Sequence, residues 1–285
     1  MKRYFFLILF ISLYSVTAQE KKIDSIAKWK IHGYFSFIFN QSSFTNWSSG
    51  GQNTVAGNIN VNYDLNYKND NLNWDSRVIS GYGLSYLNGN GSRKTNDRFE
   101  FNSLLGLKIN EIWFFSSFVN FKTQYTKGYD YNVIPKKPVS AFLSPAYLSF
   151  GPGILWKKTD NMNLNIAPAS ARFTFVNDFF SGRFGVKEGS NTSFSLGFSL
   201  AGYFKFLIME NIEMENNIAI YSDYLSKPQN IDLDYQINLR FKINKNIKTH
   251  LTLHTIIDDN ASSRIQFRQL FGLGLTYSFH QKTAY

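Results

Sequence analysis

Four aspartates, Asp223, Asp232, Asp234 and Asp258, come closest to a reactive centre in this 285-residue sequence. Hard divalent cations such as Ca²⁺ bind clustered carboxylates, so these four are the candidate metal ligands. Their spacing follows no ligand motif, and Arg264 and Arg268 could neutralise the same charge, so neither a metal nor another cofactor is expected. The histidines number only 4, His32, His250, His254 and His280. A metal or pH-sensing cluster would need them to converge, and His254 stands a full turn of pleats from His32 and His250, so hydrogen-bonded histidines are expected instead. With no cysteine in the chain, thiol nucleophiles, disulfides and thiolate metal sites drop out. No nucleophile and base occur at an interpretable spacing, and the expectation is a protein without enzymatic activity.

The elements that carry these residues are read from alternation. In "NTVAGNINVNYDLNYKND", Val55, Ile59, Val61, Tyr63, Leu65 and Tyr67 share one parity, and Asn58, Asn60, Asn62, Asp64 and Asn66 take the other. Period two over such a length predicts a long strand with one apolar and one polar face. "NIDLDYQINLRFKIN" repeats the pattern, with the charges on one side. Read this way, the chain from residue 28 onward contains about twelve strands, 28–40, 53–68, 71–87, 97–109, 112–126, 143–158, 162–175, 193–209, 212–225, 230–243, 247–257 and 264–279. Pro145, Pro152 and Pro168 interrupt the sixth and seventh, so the strand number in region 127–192 could shift by two.

Connections are very short at one end (68–71, 110–111, 159–161, 210–211, 244–246). At the other end they run long, at 41–52, 88–96, 127–142 and 176–192, with shorter members at 226–229 and 258–263. An even number of antiparallel strands with this asymmetry predicts an all-β fold, an antiparallel transmembrane outer-membrane barrel in one domain spanning 28–285. Trp29, Trp74, Trp113 and Trp156 each fall on the apolar parity at the short-turn end, joined by Tyr67 and Tyr277, as an aromatic girdle at a membrane interface requires. The opening "MKRYFFLILFISLYSVTAQE" has a basic start, an apolar run and small residues up to Ala18. It reads as a signal peptide over 1–18 cleaved after about Ala18, followed by a short periplasmic lead-in over 19–27. Losing Lys2 and Arg3 leaves 28 basic residues against 20 acidic ones, a net charge of +8.

On the opposite, inward parity lie Asp64, Asp75, Arg77, Glu100, Lys122, Glu213, Glu215, Arg240, Lys242, His250, His254 and Arg268. A basic residue on the lipid face costs about 2–4 kcal/mol at the bilayer midplane, so these charges are expected to line a polar lumen. A hairpin around "SKPQ" with pairing sums near 455 would set Glu213 opposite Lys242 and Glu215 opposite Arg240. The same register would gather Asp223, Asp232 and Asp234 near the outer mouth, beside Asp258.

One tryptophan is left over. "SFTNWSSGGQNT" places Phe44, Asn46, Trp47, Gly50, Gly51 and Asn53 in the first long loop, where no interface calls for a large ring. The expectation is a loop folded inward, constricting the lumen or lining a ligand site, with the glycines permitting a tight re-entry; the alternative is an ordered cap packed on neighbouring loops. Taken with "FKTQYTKGYDY", "FLSPAYLSFGPGILWKK" and "APASARFTFV", this segment resembles the Bacteroidota family catalogued as domain of unknown function 3078. That resemblance implies an outer-membrane protein and brings no established activity.

Three functions are weighed. A narrow channel or binding barrel for small polar solutes fits a twelve-stranded lumen of mixed charge. A barrel with a plugged lumen that assembles with an envelope protein is the alternative. An outer-membrane hydrolase fits least, because every histidine within a strand takes the inward parity. Contacts with outer-membrane lipid and lipopolysaccharide are expected through the belt and the basic loop residues, whereas the dispersed basic residues disfavour nucleic acid.

Overall fold

The computed structural model describes residues 28–43, 53–89 and 91–283. The expected signal peptide, the lead-in and the first-loop residues Phe44, Asn46, Trp47, Gly50 and Gly51 lie outside these described residues.

Twelve antiparallel strands close a barrel. They are β1 (Trp29–Ser42), β2 (Thr54–Lys68), β3 (Leu72–Leu87), β4 (Gly91–Lys108), β5 (Trp113–Thr123), β8 (Ala146–Thr159), β9 (Met162–Phe175), β10 (Thr192–Met209), β11 (Ile212–Asp223), β12 (Asp232–Lys242), β13 (Ile247–Asp258) and β14 (Ser262–Thr283). Each pairs with its neighbour in sequence, and β14 returns to β1 to complete the ring. A small hairpin, β6 (Gly128–Asp130) and β7 (Lys137–Ser140), rises from the connection between β5 and β8. No helix among the described residues is long and apolar enough to cross a membrane; crossing is by strands.

Alternation sorts the wall as the sequence predicts. Phe35, Phe37, Phe39, Val55, Ile59, Phe115, Phe271, Leu273 and Leu275 are exposed on the outside, while Ser36, Asn58, Asn62, Asp64, Glu100 and Arg240 on the other parity are buried. An apolar exterior around a polar interior is the inverse of a water-soluble barrel and matches a barrel whose outer solvent is hydrocarbon. At the short-turn end Trp29, Tyr67 and Trp74 stand in one cross-strand row, with ring centroids 4.8 Å and 6.1 Å from Trp29. Trp113 is paired with Trp156, and Tyr277 lies outward beside the turn, where Thr276 N–H donates to Asn246 O at 2.7 Å.

Three of the short turns share one device. Asn69, Asn110 and Asn244 each accept the backbone N–H groups two and three residues on through the side-chain oxygen, at 2.7–3.0 Å. An asparagine at the first turn position closes the hairpin in this way without help from the rest of the fold.

Three expectations need correcting. Residues 88–96 are not a long loop, because Leu87 already pairs with Gly91 and the strand runs on. The ladder shifts at Thr95 (Gly83 opposite Asn96, Leu84 opposite Lys94), so inward and outward parities exchange there and the alternation is hidden. The β11–β12 register places Glu213 opposite Arg240 and Glu215 opposite Asn238, two residues from the expected pairing. The expected register would have set Asp223 directly against Asp232, and like charges at such positions repel; the observed one sets Tyr221 there instead. Lys242 is consequently not the partner of Glu213 but sits exposed at the short-turn end, opposite Lys248. The doubtful sixth and seventh strands both form, and their ladder breaks between Phe150 and Ile154, around Pro152 and Pro168.

Candidate functional site

The lumen is crossed by polar ties between strands that are not neighbours in the wall. Near the short turns, Lys157 on β8 donates to Asp75 at 2.6 Å and Asn73 at 3.2 Å on β3. Arg77 on β3 is bonded to Asp64 and lies 4.4 Å over the Tyr203 ring on β10. Arg240 bonds Glu213 and, at 2.6 Å, Glu215, and faces Tyr34 on β1 at 5.1 Å.

Midway up, Lys122 on β5 donates to Asp234 on β12 at 2.9 Å. Arg98 on β4 bonds Glu100 on its own strand and reaches the side-chain oxygen of Gln236 on the far wall. Nearer the long loops, Arg172 on β9 donates to Asp232 at 2.8 Å and stacks 3.4 Å over Tyr221. Charges held this way are desolvated but paired, the arrangement that a low-dielectric interior tolerates best.

Beside these ties runs one continuous cavity of about 660 Å³. Its lining extends from Asp160, in the short turn between β8 and β9, to Phe184, Asp258 and Ala261 among the long connections. It therefore spans the barrel from end to end.

The mouth is covered by the connection 176–192. Residues Gly182, Phe184 and Gly185 take positive φ of 82°, 56° and 76°, folding the chain back on itself. The added Cβ of Gly185 would lie 3.4 Å from Asn260, in the β13–β14 turn, so this loop reaches over the mouth from β9 to the far side. It is pinned by Asn177 N–H donating to Ser144 Oγ at 2.8 Å and by a cluster of Ala141, Val176, Phe180 and Val186, with Phe184 packed against it. An inward fold over the mouth is thus displayed by the connection 176–192. Asn53, the one first-loop candidate in view, is exposed, and its carbonyl accepts the Asn88 N–H at 3.1 Å.

The structure separates the aspartates read from sequence as a group. Asp232 and Asp258 do meet, joined by Asp259, with carboxylate oxygens within 4.8 Å. Asp234 is committed to Lys122 and to His254 at 2.8 Å, and Asp223 accepts the Leu225 N–H at 2.8 Å. The two-residue difference in the β11–β12 register takes Asp223 away from Asp232. Of the histidines, His32 and His280 face each other across the β1–β14 seam with ring centroids 6.2 Å apart, and the others stand apart: His32 also approaches Asp64 at 3.4 Å, His250 Thr276 at 3.2 Å, and His254 lies between Asp234 and Arg268.

Sequence reasoning missed Arg98, Lys157 and Arg172, which make three of the cross-lumen ties. Arg98 shares the parity of Glu100, so alternation alone could have found it. Lys157 and Arg172 lie in the two strands whose prolines obscure the pattern. At the short-turn end Asp160 takes Lys30 at 3.2 Å and Lys157 at 3.3 Å. Burial alone would raise the Asp160 carboxyl, but the two ammonium groups outweigh it and hold the pKa below the usual 3.8.

A family model described as "Protein of unknown function (DUF3078)" matches residues 39–129, which include the Asn-Trp-x-x-Gly-Gly element. The segments at 142–158 and 167–176 fall beyond that match. No curated protein matches the chain. Among solved structures, an outer-membrane channel from Pseudomonas putida F1 is similar at 9% identity, over 93% of this chain and 100% of that one, with a TM-score of 0.39. The translocator domain of autotransporter NalP from Neisseria meningitidis is similar at 8% identity, over 90% of each chain, with a TM-score of 0.37. The NanC porin is similar at 9% identity, over 90% of this chain and 99% of that one, with a TM-score of 0.35.

Proposed function

We propose that this barrel resides in the outer membrane and gives small polar solutes a narrow path, capped on the outside by the connection 176–192. The observation that carries the reading is the cavity of about 660 Å³, lined continuously from Asp160 to Phe184. Its wall mixes acids, bases, amides and tyrosines, so it selects by size and hydrogen bonding more than by the sign of a single ion. The role is passage or binding without catalysis. Outer-membrane lipid contacts the apolar belt, and phosphate groups of lipopolysaccharide meet basic rim residues such as Arg93 and Lys136.

The second reading, a plugged barrel that serves an envelope protein partner, is favoured by the number of ties across the lumen. Single-channel conductance in planar bilayers separates the two. Wild type is compared with a variant in which residues 178–188 become a short Gly-Ser turn, and with Trp47→Ala for the first loop. The path reading expects discrete conductance that rises when the cap is shortened. Silence in every version overturns it in favour of the plugged barrel.

A further inference from the structure

The Arg98–Gln236 tie divides the lumen unequally. On one side is the large cavity; on the other is a chamber of about 80 Å³ whose lining shares Ile79, Arg98 and Gln236 with it. The two compartments differ in chemistry. The large one is lined by eight acidic residues, among them Asp64, Glu100 and Asp234. The small one has three arginines, Arg98, Arg240 and Arg268, several asparagine amides, and no carboxylate among its described lining residues.

Two of those arginines are already neutralised, Arg98 by Glu100 and Arg240 by Glu213 and Glu215. Arg268 is not. Its Nη1 donates to Asn96 Oδ1 at 2.8 Å and its Nη2 to His254 Nδ1 at 3.3 Å, both neutral acceptors, and its buried Nε–H has no partner. The nearest carboxylate in that chain of contacts is Asp234, already shared between His254 and Lys122. A guanidinium has five N–H donors; here two are used and one is sealed away, so two remain. A part-buried cation without a counter-charge is costly, and the site lowers that cost if an anion joins it.

The chamber is built around this group. Gly81, Gly83 and Gly272 stand on the inward parity where an added Cβ would come within 2.4 Å of Asn96, Asn58 and Asn40 side chains. Bare backbone at these positions is what allows amides to crowd the wall. Amide N–H groups and guanidinium edges are anion donors, and a volume of about 80 Å³ suits a halide with water or a single carboxylate, not a sugar or a peptide.

We infer that the side chamber is a binding site for a small monovalent anion, a halide or a carboxylate group, held by Arg268 with Arg98 and the asparagine amides. It does not depend on whether the large cavity conducts.

The test is bromide binding to the full-length protein, refolded in micelles, followed by broadening of the ⁸¹Br resonance at constant ionic strength, with acetate as competitor. The expected result is saturable broadening that acetate reverses, lost at least ten-fold in Arg268→Gln and unchanged in Arg172→Gln, which alters the opposite compartment. Arg268→Lys keeps a charge without the planar fork and should retain weakened binding, so it discriminates if the glutamine variant fails to fold. Absence of saturable binding in wild type, equal binding in folded Arg268→Gln, or equal loss in Arg172→Gln overturns the assignment.

Discussion

Phe180→Ala isolates the cap from the barrel. The ring is 1% exposed and packs against Ala141, Val176, Val186 and Phe184, with Phe179 at 4.9 Å and the Arg183 guanidinium at 5.3 Å. No member of this cluster belongs to a barrel strand, so the cost of truncation falls on the cap and leaves the wall intact. Removing a buried phenylalanine ring costs about 3–5 kcal/mol. At about 1.4 kcal/mol per factor of ten, the open-to-closed ratio of the cap rises roughly a hundred- to several-thousand-fold. The cluster has few other apolar side chains, so little remains to hold it. Amide hydrogen exchange on the refolded protein should show protection lost in 176–192 and around Ala141, with strand amides unchanged. In bilayers the same variant should conduct more than wild type. Unchanged exchange in 176–192, or a loss spread over the barrel strands, would refute the idea of a separately stabilised cap.

Lys157→Ala leaves Asp75 without its ammonium partner in a site where Lys157 is only 7% exposed. Breaking such a buried pair costs about 3–5 kcal/mol, read as a lower urea midpoint in micelles. Phe37→Arg places a cation on the outer face of β1, midway along its length, and should destabilise the protein in lipid vesicles by about 2–4 kcal/mol; a neutral outcome would mean the belt does not face hydrocarbon. Because the Asp160 carboxyl titrates below its usual 3.8 when folded, its contribution is present above that pH and lost as pH falls through the folded value. Asp160→Asn should therefore lower stability by a constant amount above about pH 4, where the contribution is present, and flatten the profile below it so that variant and wild type converge in acid; identical profiles would remove Asp160 from the account.

The strands were legible because one face meets lipid and the other water, and this requirement stamps period two on long segments such as Thr54–Lys68. Legibility failed wherever that requirement lapses. The outer half of β4 carries polar residues on both parities and changes phase at Thr95. The β6–β7 hairpin stands outside the barrel, where no lipid face demands alternation. Register between β11 and β12 depends on a choice that composition leaves open by two residues and that the Asp223–Asp232 repulsion decides. Of the site, parity alone assigned most of the lumenal charges. The ties Arg98–Gln236 and Lys122–Asp234 join strands on opposite walls, and no local pattern reports which residues will meet across a closed ring. The cap is hidden for the same reason, since Phe184 reaches its place through positive-φ turns and a loop far away in sequence.

The seam between β1 and β14 also has a temporal meaning. Phe37 pairs with Leu275, so ring closure joins residues separated by nearly the whole chain. The equilibrium penalty for so large a loop grows only logarithmically with its length, whereas pairings of high sequence separation form slowly. Until β14 arrives, β1 and β13 each present a long row of unpaired N–H and C=O groups, and open edges of this kind recruit other strands. The 22-residue last strand, Ser262–Thr283, is partner to both. Its docking removes two aggregation-prone edges in a single event, and any delay in that event prolongs the exposure of both.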